Sequence, residues 1–429
     1  MTELSPYVNK TVEFAFMGAR LRLELSHALF SSFDVDSGTR LLLKAVARDP
    51  VLAGARRVLD AGCGTGVIGL AVAKAFPDTE VTLRDRDMLA VAFARRNRRL
   101  NGLAKRPMHI EPGLLGDGLE GGPFDYVLSN LPAKAGATVL EAFVSSCARR
   151  LVSPGGRLAF VIVHTLAPAA RQWCADAGFS AVREEATKGH CVFVCDARPA
   201  SGNTDNGTVE IAAAAADAAD AADEAGAADA AMLPDASLYI RSDTKMALGA
   251  ARFHVEGYQG LPEFDTMGYG SALAVAAAEK AAAGCLVRDA LFVEPGIGLT
   301  ALWACDRLGA SRIVAASRDI LSLSAVRGNL VRAGFGARGF EACSSLDLEL
   351  LKDASFDLVV WALDEIPKFD WITPAWADAS RLLKKGASVV FVSTSTGATR
   401  LAKACPGGMR ILGEKKKKGY SALFFRREG

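Results

Sequence analysis

Two hydrophobic rhythms alternate along this chain. Short apolar runs suited to the inside of a sheet, Arg57 to Leu59, Glu80 to Leu83, Tyr126 to Ser129 and Arg157 to Val163, are separated by stretches whose apolar residues recur at helical spacing. Those helical stretches are Val67 to Ala75, Met88 to Leu100 and Val139 to Arg150. Strand and helix in strict alternation predict a parallel α/β sheet covered by helices on both faces. A last segment, Lys188 to Asp196, alternates like the edge strand of a hairpin.

The same order returns in the second half. Arg288 to Gly298 stands where Arg57 to Gly64 stands in the first half, Asn329 matches Asn97, and Phe356-Asp357 matches Phe124-Asp125. Lys384-Lys385-Gly386 lies near the place of Ser153-Pro154-Gly155, and Phe264 to Gly270 resembles the leader Phe33 to Gly38. A tandem duplication accounts for a repeat of this length. Between the copies, residues 200–235 carry almost no aromatic or large aliphatic side chain and cannot bury a core, which makes them a flexible Ala/Asp-rich tether. The expected domains are therefore 1–199 and 236–429, as the length of 429 residues also suggests.

Composition narrows the class without choosing a function. Half of the residues are hydrophobic and the net charge is +2, so nucleic-acid contact has to come from local patches and not from the whole surface. The nine cysteines show neither paired nor Cys/His spacing, which points to no zinc site, no disulfide framework and a reducing cytoplasm. The N-terminus has no signal pattern, and no apolar run is long enough for a membrane helix. A soluble cytoplasmic protein is expected.

The most specific motif is Val58-Leu-Asp-Ala-Gly-Cys-Gly-Thr-Gly66, an apolar strand that ends in an acid and is followed by alternate glycines and a helix. Glycines there let the backbone turn sharply and approach a ligand closely. This DxGxGxG turn resembles the first motif of class I S-adenosylmethionine-dependent methyltransferases. The resemblance implies that Asp60, Gly62, Gly64 and Gly66 hold the methionine end of S-adenosylmethionine, and that the fold is two tandem Rossmann-like methyltransferase domains. Asp85 ends the next strand, where a carboxylate can accept two hydrogen bonds from ribose hydroxyls; Asp87 is the alternative, or a helix cap. At the position expected to carry the adenine-contacting acid stands Gly113, and a backbone contact or Asp117 could serve instead.

Asn130-Leu131-Pro132-Ala133-Lys134 follows a strand at its carboxyl end, where open α/β sheets build their sites. It resembles the Asn-Pro-Pro-aromatic loop of amino-directed methyltransferases, which implies catalytic positioning by Asn130 and Pro132. Leu131 and Ala133 depart from that pattern, and the absent aromatic is the one that stacks on or beside the acceptor. Lys134 is either a phosphate contact or a solvated loop residue. The leader from Leu29 to Leu43 is similar to that of the "methyltransferase small" group, which includes two-domain ribosomal RNA guanine-amino methyltransferases; this places Phe33, Asp36 and Gly38 beside the cofactor.

The second copy is expected to be degenerate. Aligned acid on acid, Glu294-Pro-Gly-Ile-Gly-Leu-Thr300 keeps the acid and two glycines and loses the third glycine to Thr300, Ser317 replaces Asp85 with Asp319 nearby, and Ala362 replaces Asn130. Lys415, Lys416, Lys417 and Lys418 are expected to top a terminal hairpin, as an RNA contact with Arg426 and Arg427 or as a solvated tip. Arg95, Arg96, Arg98 and Arg99 read as a solvated helix face. The function expected from these features is methylation of an exocyclic amino group of a ribosomal RNA base, without a metal. A protein or small-molecule methyltransferase and a noncatalytic two-domain binding scaffold are the alternatives.

Overall fold

The structure, a computed structural model, describes residues 4–30, 33–119, 122–197, 233–263, 265–336 and 339–429. The expected tether lies outside the described residues except for 233–235, and Phe264 of the second leader lies outside them too. The described residues fall into two compact units, divided as Tyr7–Ala225 and as Gly226–Gly429 with Met1–Pro6.

The first unit opens with a hairpin, β1 (Lys10–Phe16) and β2 (Ala19–Leu25), whose alternate residues Val12, Phe14, Phe16, Leu21, Leu23 and Leu25 are buried. Period-two alternation of this kind is what a sheet with one covered face requires. Helix α1 (Ser37–Val46) and a short turn of helix, α2 (Pro50–Ala53), lead into the sheet. The sheet contains β3 (Arg57–Ala61), β4 (Glu80–Asp85), β5 (Met108–Pro112), β6 (Phe124–Asn130), β7 (Val152–Val163), β8 (Ser180–Ala186) and β9 (His190–Asp196). The connecting helices are α3 (Val67–Ala75), α4 (Met88–Leu100), α5 (Ala137–Ser146) and α6 (Ala167–Asp176).

Strand order is β5-β4-β3-β6-β7-β9-β8, parallel from β5 through β7 and antiparallel at β9 and β8. The chain moves outward from β3 to β5 and then returns to the other side of β3, so a crevice opens between β3 and β6 at the carboxyl ends of the strands. Buried Val58, Leu59, Val81, Leu83, Tyr126 and Leu128 give the central strands their continuous apolar character.

The second unit repeats the plan. A hairpin, β10 (Ile240–Leu248) and β11 (Ala251–Tyr258), and helix α7 (Tyr269–Ala281) precede β12 (Asp289–Val293), α8 (Leu299–Leu308), β13 (Arg312–Ala316), α9 (Ile320–Arg332) and β14 (Phe340–Cys343). Then come β15 (Phe356–Ala362), α10 (Ile372–Leu382), β16 (Leu383–Thr394), α11 (Ser395–Lys403), β17 (Met409–Lys417) and β18 (Tyr420–Arg427). Its order, β14-β13-β12-β15-β16-β18-β17, is that of the first sheet strand for strand.

Candidate active site

At the carboxyl end of β3 the backbone takes positive φ at Gly62 (+77°), Gly64 (+55°) and Gly66 (+87°), a region that L side chains rarely adopt. The N–H groups of Gly62 and Cys63 donate to the Arg84 carbonyl of β4, at 2.8 and 2.9 Å, which ties the turn to the neighbouring strand. Gly66 caps α3, and a Cβ there would lie 3.0 Å from Leu70 and 3.1 Å from Ala94, so tight packing adds to the left-handed φ in favouring glycine. At Gly64 an added Cβ would meet nothing within 4 Å, and at Gly62 only Leu115 at 3.8 Å. Those two positions border open space, into which backbone can face a ligand.

Two carboxylates flank the turn. Asp60 is fully buried on β3; its Oδ2 accepts from Gly69 N at 2.8 Å, and its Oδ1 has no partner. Burial, opposed by the Gly69 N–H and reinforced by the nearby Asp85, pushes its carboxyl up to about 7. Asp85, at the end of β4, accepts from Gly64 N at 2.8 Å and from Asp87 N at 2.9 Å, and burial pushes it above its ordinary value against those N–H groups. A buried acceptor without a donor, beside a second carboxylate, fits a cationic ligand that brings N–H groups. The ammonium of S-adenosylmethionine is such a group, and the residues present fit that cofactor. Asp87 caps α4 through Leu89 N at 2.9 Å, as the cap alternative expected. Burial, with Asp85 and Asp60 nearby, raises the Cys63 thiol well above its usual range, which disfavours the thiolate.

Asn130 closes β6 on the other side of the crevice. Its Nδ2 donates to Asp36 Oδ2 at 3.1 Å and to Thr39 Oγ1 at 3.0 Å. The same Asp36 oxygen accepts from Gly38 N at 2.8 Å and Thr39 N at 3.2 Å, capping α1. The leader residue Asp36 is therefore joined to Asn130. Gly38 is required by crowding, since a Cβ would fall 2.8 Å from the Asp36 carboxylate and 3.0 Å from the His190 ring. His190, at the start of β9 and opposite Val163, comes to the same edge of the sheet; sequence order hid it, because β9 runs antiparallel. Phe33 is exposed and meets His27 edge to face, with ring centroids 5.1 Å apart.

The departures in the Asn130 loop have local causes. Leu131 is buried and its N–H donates to Val161 O at 2.9 Å, a bond that proline could not make. Pro132, Ala133 and Lys134 are exposed, so the loop tip presents small and basic side chains where the aromatic is absent from the sequence. On the adenine side, Gly113 is glycine because the buried Arg84 guanidinium fills the space a Cβ would need. Arg84 reaches the carbonyls of Leu115 and Asp117 at 3.3 and 2.9 Å and pairs with Glu111 at 3.0 Å, holding the loop after β5. A lone arginine in an apolar strand was the signal for it.

The arginine run on α4 is not the solvated face that was expected. Arg95 donates to the Ile110 carbonyl, Arg96 pairs with Glu24, and Arg98 reaches the carbonyls of Leu103, Ala104 and Arg106; of the four only Arg99 is exposed. Long side chains here satisfy loop carbonyls that the sequence pattern could not reveal.

The second unit corrects the acid-on-acid alignment. Gly298, at φ +89°, caps α8 just as Gly66 caps α3, and Gly296, at +59°, stands for Gly64. Glu294 therefore occupies the place of Gly62, with φ +52°, and buried Phe292 the place of Asp60; no glycine is lost to Thr300. The Glu294 carboxylate accepts from Ser317 Oγ at 2.7 Å, Arg318 N at 3.1 Å and Ser345 Oγ at 2.5 Å. Ser317 and Ser345 are the counterparts of Asp85 and Gly113, so one side chain crosses the region that the first unit leaves open. Arg318 also pairs with Asp364 at 3.5 Å, between the ends of β13 and β15.

Lys415, Lys416 and Lys417 lie on edge strand β17, and only Lys418 belongs to the turn, so the run is a strand edge with a tip and not a tip alone. Lys416 pairs with Glu414 at 3.0 Å, and the Lys417 ammonium sits 5.3 Å from the ring centre of exposed Tyr269. Arg426 and Arg427 are turned inward, donating to the carbonyls of Ala281 and Leu383. Among the described residues no group of three metal-ligating side chains stands together, and no helix is long and apolar enough to cross a membrane.

Comparison with known proteins agrees with this geometry. Residues 20–190 match the family model of the methyltransferase small domain. The chain is 40% identical over 143 residues to ribosomal RNA large subunit methyltransferase G of Streptomyces coelicolor, covering 31% of this chain and 36% of that protein. It is 33% identical over 151 residues to ribosomal RNA small subunit methyltransferase C of Hahella chejuensis, covering 33% and 40%. The matched part thus spans well under half the length of these relatives. Over its whole length the fold resembles that of the T. thermophilus 16S rRNA N2 G1207 methyltransferase in complex with AdoMet and guanosine, with a TM-score of 0.65 at 18% identity and full coverage of both chains.

Proposed function

Residues 20–190 match the family model of the methyltransferase small domain, and from that likeness we propose that the chain is an S-adenosylmethionine-dependent methyltransferase acting on an exocyclic amino group of a base in ribosomal RNA. The observation that carries this reading is the pairing, across one crevice, of an unpartnered buried carboxylate oxygen on Asp60 with an amide on Asn130. Bound there, S-adenosylmethionine would supply an activated methyl group. Asp60 would hold its ammonium, the backbone of Gly62 to Gly66 its methionine portion and Asp85 its ribose, with Phe33, Asp36 and Gly38 bordering the same pocket. Asn130 and Pro132 would orient the acceptor nitrogen, so that positioning supplies most of the rate. The names of the relatives support ribosomal RNA as the substrate.

The second unit, with its crevice crossed by Glu294, serves as a scaffold for RNA and takes no cofactor. Lys415, Lys417 and Lys418, and Lys416 where Glu414 releases it, are its candidate phosphate contacts, as Lys134 is in the first unit. Changing Lys415, Lys417 and Lys418 together to Ser should flatten the log–log dependence of RNA affinity on salt by about 2, as expected for three released counterions. An unchanged slope in a filter-binding titration would remove this surface from the RNA path.

Titrating S-adenosylmethionine calorimetrically should give one site per chain, lost in Asp85→Ala and kept in Glu294→Ala. Transfer of a labelled methyl group to undermodified ribosomal RNA should follow, and in Asn130→Ala it should fall at least about 100-fold with cofactor affinity nearly intact. Absence of any cofactor binding by the unaltered chain would point to a noncatalytic scaffold. Label in protein but not in RNA would reassign the acceptor.

A further inference from the structure

The amide of Asn130 has two ends, and the chain has already used one of them. Both bonds of its Nδ2 run to the leader: to Asp36 Oδ2 at 3.1 Å and to Thr39 Oγ1 at 3.0 Å. An ionised carboxylate only accepts, so Asp36 dictates which end of the amide faces it; the nitrogen must, and the orientation is not a free choice. Asp36 is itself held by the N–H groups of Gly38 and Thr39, at 2.8 and 3.2 Å, and so has little freedom to turn away. Thr39 is buried on α1. The Asn130 Oδ1 has no hydrogen-bond partner among the described residues, and it is the end left to face a substrate at the carboxyl edge of β6.

We propose that Asp36 and Thr39 are positioning residues that lock the Asn130 amide with its oxygen outward, and thereby restrict the acceptor to a nitrogen that still carries a hydrogen. This rests on the methyl-transfer reading and deepens it. An outward oxygen accepts from an amino or amide N–H and aligns that nitrogen. Toward a carbonyl oxygen or a deprotonated hydroxyl it presents lone pair against lone pair, which excludes O-methylation. A turned amide would offer N–H groups instead and would favour those oxygen acceptors. The leader thus sets acceptor chemistry without touching the substrate.

Asp36 also caps α1, and the test must separate cap from lock. Ser at a cap accepts the same backbone N–H groups but is too short to reach Asn130, whereas Asn preserves both sets of bonds through its own oxygen. In Asp36→Ser, kcat for methyl transfer to RNA should fall about 10- to 100-fold, with KM for S-adenosylmethionine and the thermal midpoint close to those of the unaltered chain; Asp36→Asn should stay within a few-fold of it. A cap-only role predicts full activity in Asp36→Ser, and that result would overturn the lock.

A second readout needs no turnover. The Asn130 side-chain NH2, assigned in an NMR spectrum by its loss in Asn130→Asp, should exchange slowly with solvent in the unaltered chain and in Asp36→Asn, and fast in Asp36→Ser. Fast exchange in the unaltered chain would refute the lock. A slowly exchanging amide in a protein that methylates no RNA would uphold the lock and remove only the proposed reaction.

Discussion

Asp60→Asn is expected to cost about 100-fold in S-adenosylmethionine affinity, the value of one hydrogen bond to a charged group, while raising the thermal midpoint of the ligand-free protein above neutral pH. The two effects share one origin. Asp60 is wholly buried, makes one hydrogen bond, and titrates near 7 instead of near 3.8. Because its pKa is raised on folding, the folded state binds the proton more tightly than the unfolded one. The associated stability is complete below about 3.8, declines as pH rises and is gone above about 7. A difference of that size corresponds to a penalty on the order of 4 kcal/mol for ionised Asp60 at pH 8.

Asn carries no such penalty. It can still accept from Gly69, though its Nδ2 then stands unpaired where Oδ1 stood, which returns about 1 to 3 kcal/mol of the gain. A net rise of a few degrees at pH 8 should therefore shrink toward pH 4. The cofactor's ammonium would restore the carboxylate, so binding to the unaltered chain should weaken as pH falls below about 7 and should release a proton. Calorimetry in buffers of different ionisation enthalpy measures that proton directly. Tight, pH-independent binding to Asp60→Asn would show that the ammonium lies elsewhere.

How much of this was legible beforehand depended on whether a residue's role is local. The glycine turn, Asp60 and Asp85 stand next to one another in sequence and in space, and strands that are apolar throughout announce a covered parallel sheet. The β1–β2 hairpin, the pairing of Asp36 with Asn130 and the packing of His190 on Gly38 join positions far apart in the chain, and no periodicity reports them. The acid-on-acid alignment of the second copy failed for a different reason. It took the acid as the fixed point of the motif, yet Glu294 stands at the left-handed position of Gly62, at φ +52°, where three hydrogen bonds hold its carboxylate. Strain of about 1 to 2 kcal/mol at such a position is tolerable when the side chain is tied down this well.

Asn97 and Asn329 show which residues the duplication has kept in both copies, and their removal should produce the largest losses of stability. Buried Asn97 on α4 accepts from Glu24 N at 2.8 Å and donates to Glu24 O at 3.1 Å and to Thr65 O at 3.0 Å. Buried Asn329 on α9 makes the same three bonds, to Glu256 N and O at 2.8 and 3.1 Å and to Ile297 O at 2.9 Å. Each amide fastens a hairpin to the turn before a helix. Ala at either position strands three backbone groups at about 1 kcal/mol or more apiece, enough to lower that unit's melting midpoint by about 10 °C. Asp should do no better, since a carboxylate would face two carbonyl oxygens. The two variants should part company in ligand binding: Thr65 lies within the glycine turn, so Asn97→Ala should weaken S-adenosylmethionine binding, and Asn329→Ala should leave it alone. Equal loss of cofactor affinity in both would mean that the second unit shares in the cofactor site, contrary to the Glu294-filled crevice. Full stability in either would mean that these amides are replaceable by water, and that the turn is held by its glycines alone.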